Sequence, residues 1–86
     1  MATSKLKTAF DKAVADSKKL PERPDNKTLL KIYALYKQAT EGDNEGKRPG
    51  ITDMVGRAKH DAWAALAGKS ANEAMQEYVD LIESLK

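Results

Sequence analysis

The stretch YALYKQATEGD, Tyr33 to Asp43, carries the clearest structural pattern in this chain of 86 residues. Because an α-helix completes a turn in about 3.6 residues, Tyr33 and Lys37 lie one above the other, and Tyr36 shares their face. Gly42 then follows as a residue that commonly ends a helix. The stretch therefore predicts the last turns of a helix with an aromatic and cationic face, which suits an aromatic, anionic ligand.

Working outward, the apolar periodicity predicts four helices and no strand. A first helix ends before Leu20-Pro21, because the residue before a proline is disfavoured in a helix. Asp25 can then cap the start of the second helix, which runs to about Thr40. The linker between the two helices is Pro21 to Pro24.

Two more helices follow a polar loop. Thr52 or Asp53 caps the third helix, and Gly68 comes after its end. Ser70 and Glu73 have the spacing of a capping box, which predicts the start of the fourth helix.

Four amphipathic helices with one apolar stripe each can bury those stripes only against one another, which predicts an all-α four-helix bundle. We expect Phe10 and Trp63 to belong to its core. Sequence alone favours simple up-down connections, although the long loop from Glu41 to Gly50 permits a crossover. We expect a single domain over residues 1–86.

Composition restricts the function classes. Lysine and arginine number 15 against 13 acids, a net charge of +2 that is too small to indicate a general nucleic-acid binder. The chain has no cysteine, so disulfides, thiolate zinc sites and cysteine nucleophiles are excluded. The longest apolar run, AWAALA at 62–67, is far shorter than the roughly 20 residues of a membrane span. With no apolar signal core at the N-terminus, we expect a soluble, cytoplasmic protein.

Catalytic patterns are weak. Gly68-Lys69-Ser70 ends like a phosphate-binding P-loop, but that motif needs a glycine at position 63, where this chain has Trp63. His60 is the only histidine and so makes a poor metal site. We therefore expect neither an enzyme nor a metal or catalytic cofactor.

Several candidate binding residues also have a plain structural interpretation. Tyr33 and Tyr36 are compatible with ordinary half-buried bundle tyrosines. Lys59 lies on an apolar stripe, which indicates either a ligand contact or an aliphatic stem that covers the stripe. Lys18 sits at a helix end, where the helix dipole alone favours a cation. Tyr78, on the stripe of the fourth helix, has a hydroxyl that needs a partner if it is buried.

Two more segments extend the pattern of Tyr33–Asp43: RPG at 48–50 and AKHDAW at 58–63. With these segments at these spacings, the chain from Phe10 to Leu85 resembles the acyl-CoA-binding protein family. The resemblance implies an up-down-down-up bundle. It also implies a monomeric carrier that binds medium- to long-chain fatty acyl-CoA thioesters, sequesters them and delivers them to enzymes that use acyl-CoA.

The resemblance further implies two sets of ligand contacts. The expected CoA headgroup contacts are Lys18, Tyr33, Tyr36, Lys37, Lys59 and Tyr78. An acyl groove between the first three helices is expected to be lined by Val14, Leu29, Ile32 and Ala58.

The chain departs from the family pattern at three positions near the expected site. Met54 and His60 stand where the family usually has Phe and Trp, and Val55 replaces a common lysine. We expect these changes to alter chain-length preference and to weaken headgroup binding somewhat. Two other classes stay open: a helical module whose tyrosine face meets a partner helix, and a nucleic-acid binder, which the near-balanced charge disfavours.

Overall fold

The computed structural model describes residues 2–86, with side chains from Lys5 onward. This range contains no strand and forms four helices: α1 (Ala2–Ser17), α2 (Asn26–Glu41), α3 (Met54–Ala64) and α4 (Ala71–Ser84). The predicted all-α class is confirmed. Within the described range, none of the helices is both long and apolar enough to cross a membrane.

The predicted ends of α2 are confirmed by its capping contacts. At the start, the Asp25 carboxylate accepts a hydrogen bond of 2.8 Å from the backbone N–H of Thr28. At the end, Gly42 has a φ of 79°, a backbone conformation that other residues adopt at a steric cost. The aromatic and cationic residues of α2 are therefore held on a helix whose two ends are fixed by local sequence.

Gly68 comes after the end of α3 as predicted, with a turn between the helix and this glycine. The helix stops at Ala64, and the chain continues to Gly68 as a tight turn in which Leu66 N–H donates to the Trp63 carbonyl at 2.9 Å. Short-range bonds of this kind commonly tighten the last turn of a helix. At the start, Asp53 is the capping residue, because its carboxylate accepts from the backbone N–H of Gly56 at 2.9 Å.

The fourth helix begins with the predicted capping box, in which Ser70 and Glu73 bond reciprocally. Its direction relative to α1 follows from one ion pair. Lys86, just past the end of α4, lies 2.8 Å from Asp16 near the end of α1, so these two helices run parallel.

Two side-chain hydrogen bonds give the remaining helix directions. Trp63 near the end of α3 donates to the carbonyl of Gly42, which follows α2, so α2 and α3 are parallel. Gln38 near the end of α2 donates to the carbonyl of Lys69, which precedes α4, so α2 and α4 are antiparallel. The four helices therefore follow the order up-down-down-up.

The buried core lies between α1, α2 and α4. Its members are Phe10, Ala13, Leu35, Ala39, Ala74, Tyr78 and Ile82. The expectation for Phe10 is confirmed. Among the described residues, α4 packs against both α1 and α2, whereas α3 packs against α2 alone. This arrangement leaves one side of α2 free of the core and facing α3.

Candidate functional site

Three of the predicted site residues meet between α2 and α3. The Lys59 ammonium lies 5.4 Å from the ring centroid of Tyr33, and the Lys37 ammonium lies 5.9 Å from the same centroid. Lys37 also lies 5.7 Å from the ring centroid of Trp63. We call Tyr33, Lys37, Lys59 and Trp63 the tyrosine-lysine cluster. It places two cations from different helices over aromatic rings, at distances suited to cation-π attraction.

The local sequence explains why this cluster forms. Lys37 is one helical turn after Tyr33, and Trp63 is one turn after Lys59, so each pair shares a helix face. Because α2 and α3 run parallel, the two faces meet in register. The hydrogen bond of 2.8 Å from Trp63 Nε1 to the Gly42 carbonyl fixes the indole at the end of α2. Trp63 is half-buried and lines the site instead of belonging to the core as predicted.

Lys37 is also engaged by an acid of its own helix. Its Nζ lies 2.6 Å from Glu41 Oε2. The hydrogen bond with Glu41 is the main reason why the pKa of Lys37 is raised above its ordinary value, and partial desolvation opposes that shift. Lys37 is therefore a charged ammonium at neutral pH.

A second aromatic group lies where α2 faces α1 and α4. Tyr36 stacks on Phe10 with ring centroids 5.9 Å apart, and Tyr78 meets Phe10 edge-on at 5.0 Å. Tyr36 is 39% exposed and Tyr78 only 2%. Burial raises the pKa of the Tyr78 hydroxyl, while its interaction with the Ser17 hydroxyl lowers it. We call Phe10, Tyr36 and Tyr78 the aromatic stack.

A cavity of about 410 Å³ opens between the first half of α2 and the start of α3. Its lining residues are Arg23, Asn26, Leu29, Leu30, Tyr33, Met54, Val55, Ala58 and Lys59. Most of these side chains are apolar, and Tyr33 and Lys59 stand at one end. The cavity thus joins an apolar trough to the tyrosine-lysine cluster.

A further cavity of about 340 Å³ shares Tyr33 and Lys59 with the first. Its other walls come from α3 and from the loop after α2: Asn44, Gly46, Lys47, Pro49, Gly56, His60 and Trp63. Tyr33 and Lys59 therefore stand between a space walled mainly by aliphatic side chains and one walled by loop residues, His60 and Trp63.

The loop between α2 and α3 is held in place by polar contacts. Arg48 makes two hydrogen bonds to the Asp61 carboxylate, at 3.0 and 2.8 Å. His60 Nε2 lies 3.0 Å from the Gly46 carbonyl. Arg48 is the main reason why the pKa of Asp61 is held below its ordinary value. These contacts fix the loop against α3 and so fix the loop wall of the second cavity.

The structure distributes the predicted headgroup residues over two places. Tyr33, Lys37 and Lys59 form one group, and Tyr36 and Tyr78 belong to the aromatic stack. Lys18 is exposed and directly follows Ser17, whose hydroxyl interacts with Tyr78.

The predicted acyl-groove residues are also divided. Leu29 and Ala58 line the cavity between α2 and α3. Val14 and Ile32 pack against the buried core instead. For Val14 the reason is that α1 packs on α4 and contributes none of the described residues that line this cavity.

Sequence reasoning did not select several residues that line this cavity. Leu30 was not named, although it stands three residues before Tyr33, and Met54 and Val55 were named only as departures from the family pattern, although they stand four and three residues before the predicted Ala58. Arg23 lies in the linker before α2, where periodicity gives no information.

Comparison with known proteins identifies the family. A family model described as acyl CoA binding protein matches residues 7–82. An acyl-CoA-binding protein of Brassica napus is 46% identical over 80 residues, covering 93% of this chain and 87% of the relative. The acyl-CoA-binding protein of Saccharomyces cerevisiae is 45% identical over 76 residues, covering 88% of this chain and 87% of the relative.

A solved structure agrees with these relatives. The crystal structure of Oryza sativa acyl-CoA-binding protein 2 superimposes with a TM-score of 0.94 at 39% identity, covering 98% of this chain and 91% of the other. With the same fold, the matched segment from 7 to 82 and these levels of identity, this chain belongs to the acyl-CoA-binding protein family.

Proposed function

We propose that this protein binds one medium- to long-chain fatty acyl-CoA thioester without covalent bonds, sequesters it and carries it between enzymes that use acyl-CoA. In this proposal residues 1–86 are a single binding domain that acts as a cytoplasmic monomer. Membership of a family named for binding, not for a reaction, supports a carrier over an enzyme. Acyl-CoA is then the ligand, and no cofactor is required.

The observation that carries the proposal is the joining of unlike surfaces at Tyr33 and Lys59. An acyl-CoA has an apolar chain at one end and adenine and phosphates at the other. The cavity with aliphatic walls leads to Tyr33 and Lys59, and the second cavity, walled by loop residues, His60 and Trp63, begins there. We assign the acyl chain to the first cavity, with Leu29 and Ala58 among its walls.

For the headgroup, we assign phosphate to Lys37 and Lys59, since both ammonium groups lie over one aromatic ring. Lysine provides a compact, rotatable charge that suits phosphate oxygens. Tyr33 offers a ring face for the adenine and a hydroxyl for a hydrogen bond. We propose that Tyr36, Tyr78 and Lys18 contact other parts of the headgroup.

One observation favours a second candidate function, binding of a partner helix. Ile51, Met54 and Val55 are large apolar side chains that are 78%, 78% and 66% exposed, and all three fall within residues 51–55, around the start of α3. Such an exposed patch is typical of an interaction surface. The ligand titration below separates this function from the first.

The test is calorimetric titration of the full chain with dodecanoyl-CoA, free CoA and dodecanoic acid. We expect one site per chain and far tighter binding of the thioester, because both ends of the ligand contribute. Burial of a methylene contributes about 0.8 kcal/mol, so affinity should rise with chain length until the groove is full. Equal affinity for the thioester and the fatty acid would contradict the proposal.

A further inference from the structure

Two cations stand over the Tyr33 ring, but their surroundings differ. Within the described residues, Lys59 forms no ion pair, whereas Lys37 is bonded to Glu41 at 2.6 Å. The side chains of Lys37 and Glu41 are 29% and 52% exposed, so both are open to solvent and to a ligand. The site therefore presents one ammonium without a carboxylate partner and one that a carboxylate already neutralises.

Helix stability does not account for Glu41. It is the last residue of α2, where the helix dipole disfavours a negative charge. A lysine placed four residues before a glutamate is also the less favourable order for such a pair. Exposed pairs of this type contribute little to folding. The acid thus breaks two local preferences at a position where it contacts a proposed ligand residue.

We propose that Glu41 is an internal competitor for the ligand's phosphate, holding Lys37 in the empty site and setting how tightly the headgroup is bound. This inference rests on the proposed function. A phosphate monoester carries a charge of about −1.5 to −2 at neutral pH and can therefore displace a single carboxylate from Lys37. The displaced Glu41 then stands beside the bound phosphate and lowers its affinity.

The consequence is a weaker hold on the charged end of the ligand, with little effect on the apolar end. A carrier has to release its ligand as well as bind it. Because differences in affinity between related complexes lie mostly in the dissociation rate, Glu41 should act mainly by speeding release. A ligand without the phosphate that Lys37 contacts has no group that displaces Glu41 from Lys37. Glu41 should therefore not affect the binding of such a ligand.

The test compares Glu41→Gln with wild type in titrations with dodecanoyl-CoA and dodecanoyl-dephospho-CoA, which lacks the 3′-phosphate. The substitution keeps the size of the side chain and removes its charge. From the strength of exposed ion pairs, we expect dodecanoyl-CoA to bind about two- to fivefold more tightly and to dissociate correspondingly more slowly. Binding of dodecanoyl-dephospho-CoA should not change.

A matched control is Glu45→Gln, which removes the same charge from the exposed loop after α2, where Glu45 forms no ion pair with Lys37. It should leave both affinities unchanged. An equal gain for Glu45→Gln would mean that net charge alone matters and would overturn the inference.

A double substitution tests whether Glu41 acts through Lys37. The gain from Glu41→Gln should shrink when Lys37 is already alanine, because no ammonium is left to compete for. An undiminished gain, or an unchanged affinity of Glu41→Gln for dodecanoyl-CoA, would overturn the inference and leave the proposed function standing. Failure of wild type to bind dodecanoyl-CoA would overturn both.

Discussion

The two sides of α2 have opposite characters. On the side that faces α4, Leu35, Gln38 and Ala39 are buried. The buried residues of α4 are Ala74, Tyr78 and Ile82. On the side that faces α3, the helices enclose a cavity, and α3, fully within the described range, contributes no buried residue. One helix therefore serves both as part of the core and as a wall of the proposed site.

The difference shows how a small bundle keeps apolar surface available for a ligand. Apolar side chains that pack against one another are no longer free to contact an acyl chain. α1, α2 and α4 form the packed frame, while α3 is held at its end and at the loop by polar contacts such as Trp63 to Gly42 and Arg48 to Asp61. Polar contacts at the edges leave the apolar trough between α2 and α3 open.

The largest expected effect is a difference in the free energy of unfolding between substitutions on the two sides of α2. Leu35 is completely buried on the α4 side, so Leu35→Ala should lower the free energy of unfolding by about 2 to 5 kcal/mol. Leu30 is half-buried at the cavity wall, so Leu30→Ala should lower it by only about 1 kcal/mol while weakening acyl-CoA binding. Urea denaturation and calorimetry measure the two quantities. Equal losses of stability would remove the distinction between frame and wall.

The next largest effect tests the side of α2 that faces α3, through the contribution of its two lysines to ligand binding. A charge-assisted hydrogen bond contributes about 1.5 to 3 kcal/mol, so Lys37→Ala or Lys59→Ala should lower dodecanoyl-CoA affinity about ten- to a hundredfold. Each variant should also lose much of the preference for dodecanoyl-CoA over its dephospho form. Lys12→Ala, on the exposed face of α1, is the control. Equal losses for both ligands would place these lysines away from the 3′-phosphate.

Tyr78 tests whether the core side also reaches the ligand. Tyr78→Phe keeps the buried ring and removes the hydroxyl, so the fold should persist. Loss of one neutral hydrogen bond should weaken acyl-CoA binding by about 1 kcal/mol, as measured by calorimetry. Ser17→Ala, which removes the hydroxyl beside Tyr78, is the companion variant. A lower melting temperature with unchanged affinity would make the hydroxyl of Tyr78 purely structural.

The smallest expected effect is a weakening, at low pH, of the attachment of the loop to α3. The pKa of Asp61 is held below its ordinary value of 3.8, chiefly by Arg48. A carboxylate with a lowered pKa in the folded state stabilises the fold above its ordinary value, and this contribution is lost as pH falls through the lowered value. As pH falls below the ordinary value and through the lowered pKa of Asp61, the attachment of the loop to α3 should weaken before the core does.

The single tryptophan lies on α3 and reports this loosening. Trp63 fluorescence should change at a higher pH than helical circular dichroism, and Asp61→Asn should remove that separation. Coincident transitions in wild type would show that α3 and the core respond to acid together.

Much of the fold follows from local sequence. The caps at Asp25 and Ser70 and the end at Gly42 are correct because each depends on residues only a few positions apart. The turn after Ala64 was missed, since the good helix formers of AALA favour continuation while the chain instead tightens towards Gly68. Local sequence therefore predicts where a helix starts more reliably than it predicts the conformation in which the helix ends.

The sequence by itself determined four helices, the pairing of Tyr33 with Lys37 and the resemblance to the family. Only the tertiary structure decided that Tyr33 and Tyr36 face different neighbours. They stand about 60° apart around α2, which is enough to direct one ring towards Lys59 and the other towards Phe10. Helical periodicity groups side chains on a face, but the packing of α3 and α4 on either side of α2 decides which of them meet.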